Sequence, residues 1–228
     1  MPRRRVATRN RKATRELLGL SRAEFASLRR LDSPEKIQKF LYGLRQNFEP
    51  DGDTCHSVRT VLRLRRAHCI EGATLAACAL WIQGEPPLLM DLQAVRDYDH
   101  VVAVFRRRGR WGAISKTNGS CLRWRDPVYR SLRELAMSYF HEYFNKRHER
   151  TLRTFSRPYD LRRLDPRIWA SSPECNWHLA EALDAAPHYR LVTPSQARSL
   201  TRLDPFERRA GKLLQYTRPK RRARRAKR

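Results

Sequence analysis

The stretch "RAHCIEGATLAACALW", residues 66–81, constrains the fold more than any other. It predicts a helix over 69–82 that opens on Cys69 and ends at Gly84 and Pro86. Ala73, Ala76, Ala77 and Leu80 recur at helical spacing. A face of small residues lets a helix approach a sheet closely, and the following residues supply one. "PLLMDLQA" from Pro87 reads as a strand, and "HVVAVFRRRGRWGAIS" reads as a β-hairpin turning near Arg108 and Gly109. The longest apolar run, 73–82, falls short of the roughly 18 residues a membrane span needs, so no membrane association is expected.

Helical signals flank this centre. Ser21 and Glu24 make a capping box for a helix over 20–31. Ser33 and Pro34 open another, whose Ile37, Phe40, Leu41 and Leu44 share a face. A short helix is expected over 58–64, and a long amphipathic one after Ser131 through "LRELAMSYFHEYF". Shorter helical pieces are expected over 180–185 and after Thr193 and Pro194. Helices, then a helix feeding strands, then helices again argue for an α+β domain rather than alternating α/β. The helix carrying Cys69 would lie on a small antiparallel sheet, with additional helices at both ends.

The net charge is +26, and it is concentrated. Residues 1–15 hold seven Lys/Arg and residues 218–228 hold eight, with no acid in either. Two basic, disordered arms are therefore expected around one folded unit over 16–217. Arms of this charge suit non-specific attachment to nucleic acid or another polyanion, since each phosphate contact releases counterions. They carry no aromatic residue to stack on bases. Five cysteines at irregular spacing do not make a disulfide framework, and no export signal opens the chain. Reduced thiols in a cytoplasm are the expected state.

Thiol chemistry needs an ionised sulfur, a base beside it and a third group that orients the base. Cys69 meets the first need, because unpaired N–H groups at a helix start favour an anion. His68, its neighbour in sequence, is expected to point away from it. His100, opening a strand, is the better base. Zinc held by Cys55, His56, His68 and Cys69 lacks the usual paired ligand spacing, so neither metal nor cofactor is expected.

"HCIEGATLAACAL" followed by "DHVVAVFRRRGRWGAIS" resembles the core of the transglutaminase-like superfamily, relatives of the papain-type cysteine proteases. The longer stretch from "SPEKIQKFL" to "MSYFHEYF", about 33–144, looks like a bacterial branch of that superfamily. In that family a Cys begins the core helix and a His begins a following strand. An Asp closes the next strand shortly after a Trp. The matching positions here are Cys69, His100 and Trp111. Where the family has Asp, this chain has Ser115, with Asn118 as the chemical alternative and Asp99 a third. The resemblance implies a papain-like core and a thiol enzyme acting on a protein or peptide by amide hydrolysis or acyl transfer. Cys69 would be its nucleophile, His100 its base, and backbone N–H groups at the helix start its oxyanion donors. The rival expectation is a binding module of the same fold, without turnover, attached to nucleic acid or a ribonucleoprotein through the basic arms.

Overall fold

A computed structural model describes residues 12–218. The expectations for the outer parts of the two arms, 1–11 and 219–228, lie outside the described residues. The folded unit starts earlier than the charge pattern suggests. Ala13 is buried and its N–H donates to the Trp81 carbonyl at 3.1 Å. Thr14 caps α1 (Arg15–Leu18).

The helices α2 (Arg22–Arg29) and α3 (Pro34–Tyr42) follow, the first closed by the Ser21–Glu24 capping box. Strand β1 (Arg45–Gln46), helix α4 (Val58–Leu64) and strand β2 (Arg66–Ala67) lead into α5 (Cys69–Gln83), and β1 pairs with β2 in parallel. Every residue of α5 from Ile70 to Ile82 is buried. A helix with no solvent-facing stripe must be enclosed on all sides, and α2, α3, α4 and the sheet enclose it.

The sheet comprises β3 (Leu88–Ala94), β4 (His100–Arg107), β5 (Arg110–Ile114), β6 (Arg125–Tyr129), β7 (Leu152–Ser156), β8 (Tyr159–Asp160) and β9 (His188–Arg190). Its order is β6-β5-β4-β3-β7-β9, with β8 also on β3, and every pairing is antiparallel. Side chains alternate between its faces. Leu89, Val101, Ala103 and Phe105 belong to the core that includes α5. Met90, Leu92, Val102, Val104 and Ala113 belong to a second core with Leu135, Tyr139 and Leu152. The remaining helices are α6 (Leu132–Met137), α7 (Pro166–Ser171), α8 (Trp177–Asp184), α9 (Pro194–Arg198) and α10 (Pro205–Gly211). The chain is α+β, as its element order suggests, but its sheet is larger than expected.

One helix is much shorter than its sequence pattern. The helix expected to run through Phe144 ends at Met137. Ser138 Oγ donates back to the Leu135 carbonyl at 2.7 Å, a bond that competes with the helix ladder. Arg125 then holds both the Ser138 hydroxyl, at 2.9 Å, and its carbonyl, at 3.1 Å.

Candidate active site

Cys69 is the first residue of α5, and it is partly exposed at the point where the helix N–H groups are unpaired. His100 is the first residue of β4 and is buried. Its Nε2 lies 2.8 Å from Ser115 Oγ. The Ser115 hydroxyl donates to the Leu122 carbonyl at 2.5 Å, so its oxygen is free only to accept. His100 Nε2 therefore carries a hydrogen, and Nδ1 is the nitrogen that remains for the sulfur.

Ser115 is itself fixed by Gln38 of α3. Its N–H donates to Gln38 Oε1 at 2.9 Å, and its carbonyl accepts from Gln38 Nε2 at 2.8 Å. A side-chain amide thus completes the backbone bonding of one residue just past the end of β5. Gln38 was not anticipated from the sequence. Lys36 and Lys39 flank it, so nothing in the local pattern singles Gln38 out.

His68 departs from expectation. It was expected to point away from Cys69, as neighbours on a helix do. Instead it precedes the helix with extended backbone, φ −101 and ψ −167, and its ring turns back to bond the thiol. Its Nε2 lies 3.0 Å from the Thr54 carbonyl, which leaves Nδ1 for the sulfur. Glu49 and Glu71 each place a carboxylate oxygen 3.4 Å from that same Nε2. Glu71 is fully buried and collects bonds from Asn47, Thr54 and the backbone N–H groups of His56 and His68. Its Oε1 is also 2.7 Å from His56 Nδ1.

The electrostatics follow. Burial alone would raise the Cys69 thiol, but hydrogen bonds from His100 and His68, together with their charges, hold it well below the ordinary thiol value. Burial pulls His68 down, yet the bond to Cys69 and the charges of Cys69, Glu71 and Glu49 raise it to about 9. Three other thiols shift the opposite way. Burial pushes Cys55 up to about 12 and also raises Cys78 and Cys121. Among the described residues no group of three or more His, Cys, Asp or Glu side chains is placed to hold a metal ion.

Asn118 is not on His100. Its side chain donates to the Tyr216 carbonyl and accepts from the Tyr216 N–H, both at 2.9 Å, pinning the C-terminal strap to the loop after β5. The Tyr216 ring lies 5.6 Å from Lys116 Nζ. The stem of Lys116 lies flat on Gly72, where an added Cβ would stand 2.4 Å from Lys116 Cβ. Gly72 thus lets the segment carrying Ser115 cross directly over the first turn of α5. Asp99 accepts from the Ala94 N–H at 2.8 Å, and Trp111 lies under Arg106 on the hairpin. The site therefore joins Cys69, His100, Ser115 and His68, with Gln38, Glu71 and Glu49 behind them.

No protein-family model matches the chain, and no curated protein matches it. Among the described residues no helix is long and apolar enough to cross a membrane. The functional reading rests on the site.

Proposed function

We propose that the protein is a thiol-dependent enzyme that cleaves or transfers acyl groups of peptides or proteins through Cys69. The observation that carries this reading is a thiol at the start of α5 that His100 and His68 hold well below its ordinary value, with His100 oriented by the buried Ser115 hydroxyl. The similarity of the 69–115 segment to the transglutaminase-like superfamily supports it, as does the packing of the Cys69 helix on an antiparallel sheet. In this reading the Cys69 proton resides on His100 Nδ1, while Glu71 and Glu49 hold the positive charge of His68.

The thiolate attacks the substrate carbonyl, and backbone N–H groups at the start of α5 receive the oxyanion. His100 gives its proton to the departing amine as the C–N bond breaks, leaving a thioester on Cys69. Water or a second amine then attacks the thioester and passes its proton to His100. Breakage of the C–S bond returns the thiolate.

The residue behind His100 is Ser115, a hydroxyl rather than a carboxylate or an amide. That observation favours a second reading, a binding module of the same fold without turnover. A p-nitrophenyl ester of an N-acyl amino acid separates the two. Turnover through Cys69 gives a burst of p-nitrophenol equal to the enzyme present and an acyl adduct on Cys69 by mass spectrometry. Both should vanish in Cys69→Ala and fall sharply in His100→Ala. No burst, or an adduct on another residue, overturns the enzymatic reading.

A further inference from the structure

Phe144, Asn145, Lys146, His148, Arg208 and Lys212 line a cavity of about 220 Å³ that includes no residue of the Cys69 site. Its walls are fixed. Phe144 and Arg150 form an antiparallel bridge closed by a tight turn. In that turn Asn145 Oδ1 accepts from the N–H groups of Arg147, at 2.9 Å, and Glu149, at 3.2 Å. The His148 carbonyl accepts from Leu203 N at 3.0 Å, which ties the turn to the approach of α10. Arg150 pairs with Glu207 of α10 at 3.2 Å. The end of α10 seats on Phe144 so closely that a Cβ at Gly211 would lie 2.2 Å from the ring.

The charges in this cradle are unbalanced. Arg208 in the last turn of α10 and Lys212, which caps that helix, stand four residues apart, a spacing at which like charges repel. The nearby acids are engaged elsewhere, Glu207 with Arg150 and Glu149 with Arg96 and Asn145. Among the described residues Lys146, Arg208 and Lys212 have no carboxylate partner. Loss of hydration and the charges of Arg208, Lys212 and Arg202 hold His148 below the usual histidine value.

We infer that this cradle is a binding site for the terminal, dianionic phosphate of a phosphomonoester. Cations from a turn and from the end of a helix line one cavity that opens to solvent, and together they match an anion with several acceptor oxygens. A terminal phosphate enters such a cavity from one side. A backbone phosphodiester carries one charge and must continue in two directions.

The test uses the full chain, with phenyl phosphate as the probe and sodium chloride holding ionic strength constant. His148 ring resonances are followed by NMR during titration. A saturable shift is expected, with affinity at least tenfold weaker in Arg208→Gln/Lys212→Gln. Affinity should be unchanged in Arg29→Gln/Arg30→Gln, which removes the same charge from an exposed helix end. Equal affinity in all three proteins overturns the site and assigns binding to the arms or to net charge. A linear, non-saturating response also overturns it. Tighter binding of oligothymidylate without a terminal phosphate, lost with the same two cations, overturns the monoester in favour of nucleic-acid backbone.

Discussion

His68→Gln separates the two imidazoles that flank Cys69. Glutamine keeps a donor of similar reach and cannot hold a charge. The rise of His68 from 6.5 to about 9 corresponds to about 3 kcal/mol of preference for its charged form, net of burial. The Cys69 thiolate heads the favourable causes, ahead of Glu71 and Glu49. A hydrogen bond to a charged group is worth about 1.5–3 kcal/mol, and the lower part of that range, about 1.5–2 kcal/mol, is taken for the thiolate. Coupling between two sites is reciprocal, so the same energy favours the thiolate. Loss of a neighbouring cation disfavours an anion, so the midpoint of the alkylation-rate profile should move to higher pH. On the acid limb the rate should fall about 10–30-fold, the equivalent of that energy. The plateau above the midpoint should stay the same. Iodoacetamide alkylation of Cys69 is measured by mass spectrometry across the pH range in which circular dichroism remains native. An unmoved midpoint refutes the reasoning and leaves the thiolate to His100 and the helix start alone. A lowered plateau with an unmoved midpoint means that His68 governs access rather than charge.

Limiting iodoacetamide at mildly acidic pH should label Cys69 before the other four thiols, with Cys55 and Cys78 last because burial raises both; earlier labelling of Cys121 or Cys175 counts against the site. Ser115→Ala leaves the buried His100 N–H and Leu122 carbonyl unpaired and should cost about 1–3 kcal/mol in urea unfolding. Ser115→Asp should be no better, because a carboxylate would face the Leu122 carbonyl without a hydrogen to give; a faster ester burst than wild type would sink that argument. Burial first, then Asp99, raises Asp91 to about 6 from 3.8, so the folded state holds a proton that the unfolded state has lost. Its contribution to stability should therefore fall by about 3 kcal/mol as pH rises from about 4 through 6. Asp91→Asn should gain stability relative to wild type over that window, and parallel urea midpoints at pH 4.5 and 7 would contradict it. Removing residues 1–11 and 219–228 strips twelve Lys/Arg and should flatten the salt dependence of duplex binding, whereas equal slopes would show that the folded unit carries the affinity.

Much of the central architecture follows from local sequence rules. The 69–83 helix, its Gly84 end and the hairpin at Arg108–Gly109 each depend on spacing and turn chemistry within a few residues. The outer strands do not. β6 contains Pro127 and alternates between partial burial and exposure, so its apolar signal is weak, as expected at a sheet edge. β9 has three residues and exists only because β7 pairs with it. The starts of α5 and β4, where Cys69 and His100 stand, were legible from turn and strand signals. The role of His68 was not, because it depends on an extended residue before the helix rather than on helical geometry. Gln38 and Glu49 reach the site from 77 and 19 residues away in sequence, from Ser115 and His68 respectively, and no local pattern encodes such contacts.

The placement of acids around the two histidines bears on why a serine can stand behind His100. In the proposed reaction the charge on His100 is always matched by a nearby anion, the thiolate at rest and the tetrahedral oxyanion during each attack. Acylation neutralises the sulfur, and the departing amine takes the His100 proton in the same passage. The pair is therefore neutral overall before and after, and it needs orientation more than counter-charge. A hydroxyl that accepts from Nε2 and donates to Leu122 supplies orientation alone. A carboxylate there would add a counter-charge that stabilises the imidazolium, support that the serine does not give. His68 is in the opposite position. Its proton is not passed on, and it sits against Glu71, which is buried and would be costly to leave without a cation. The carboxylates thus support the histidine whose charge stays, and the serine supports the histidine whose charge comes and goes.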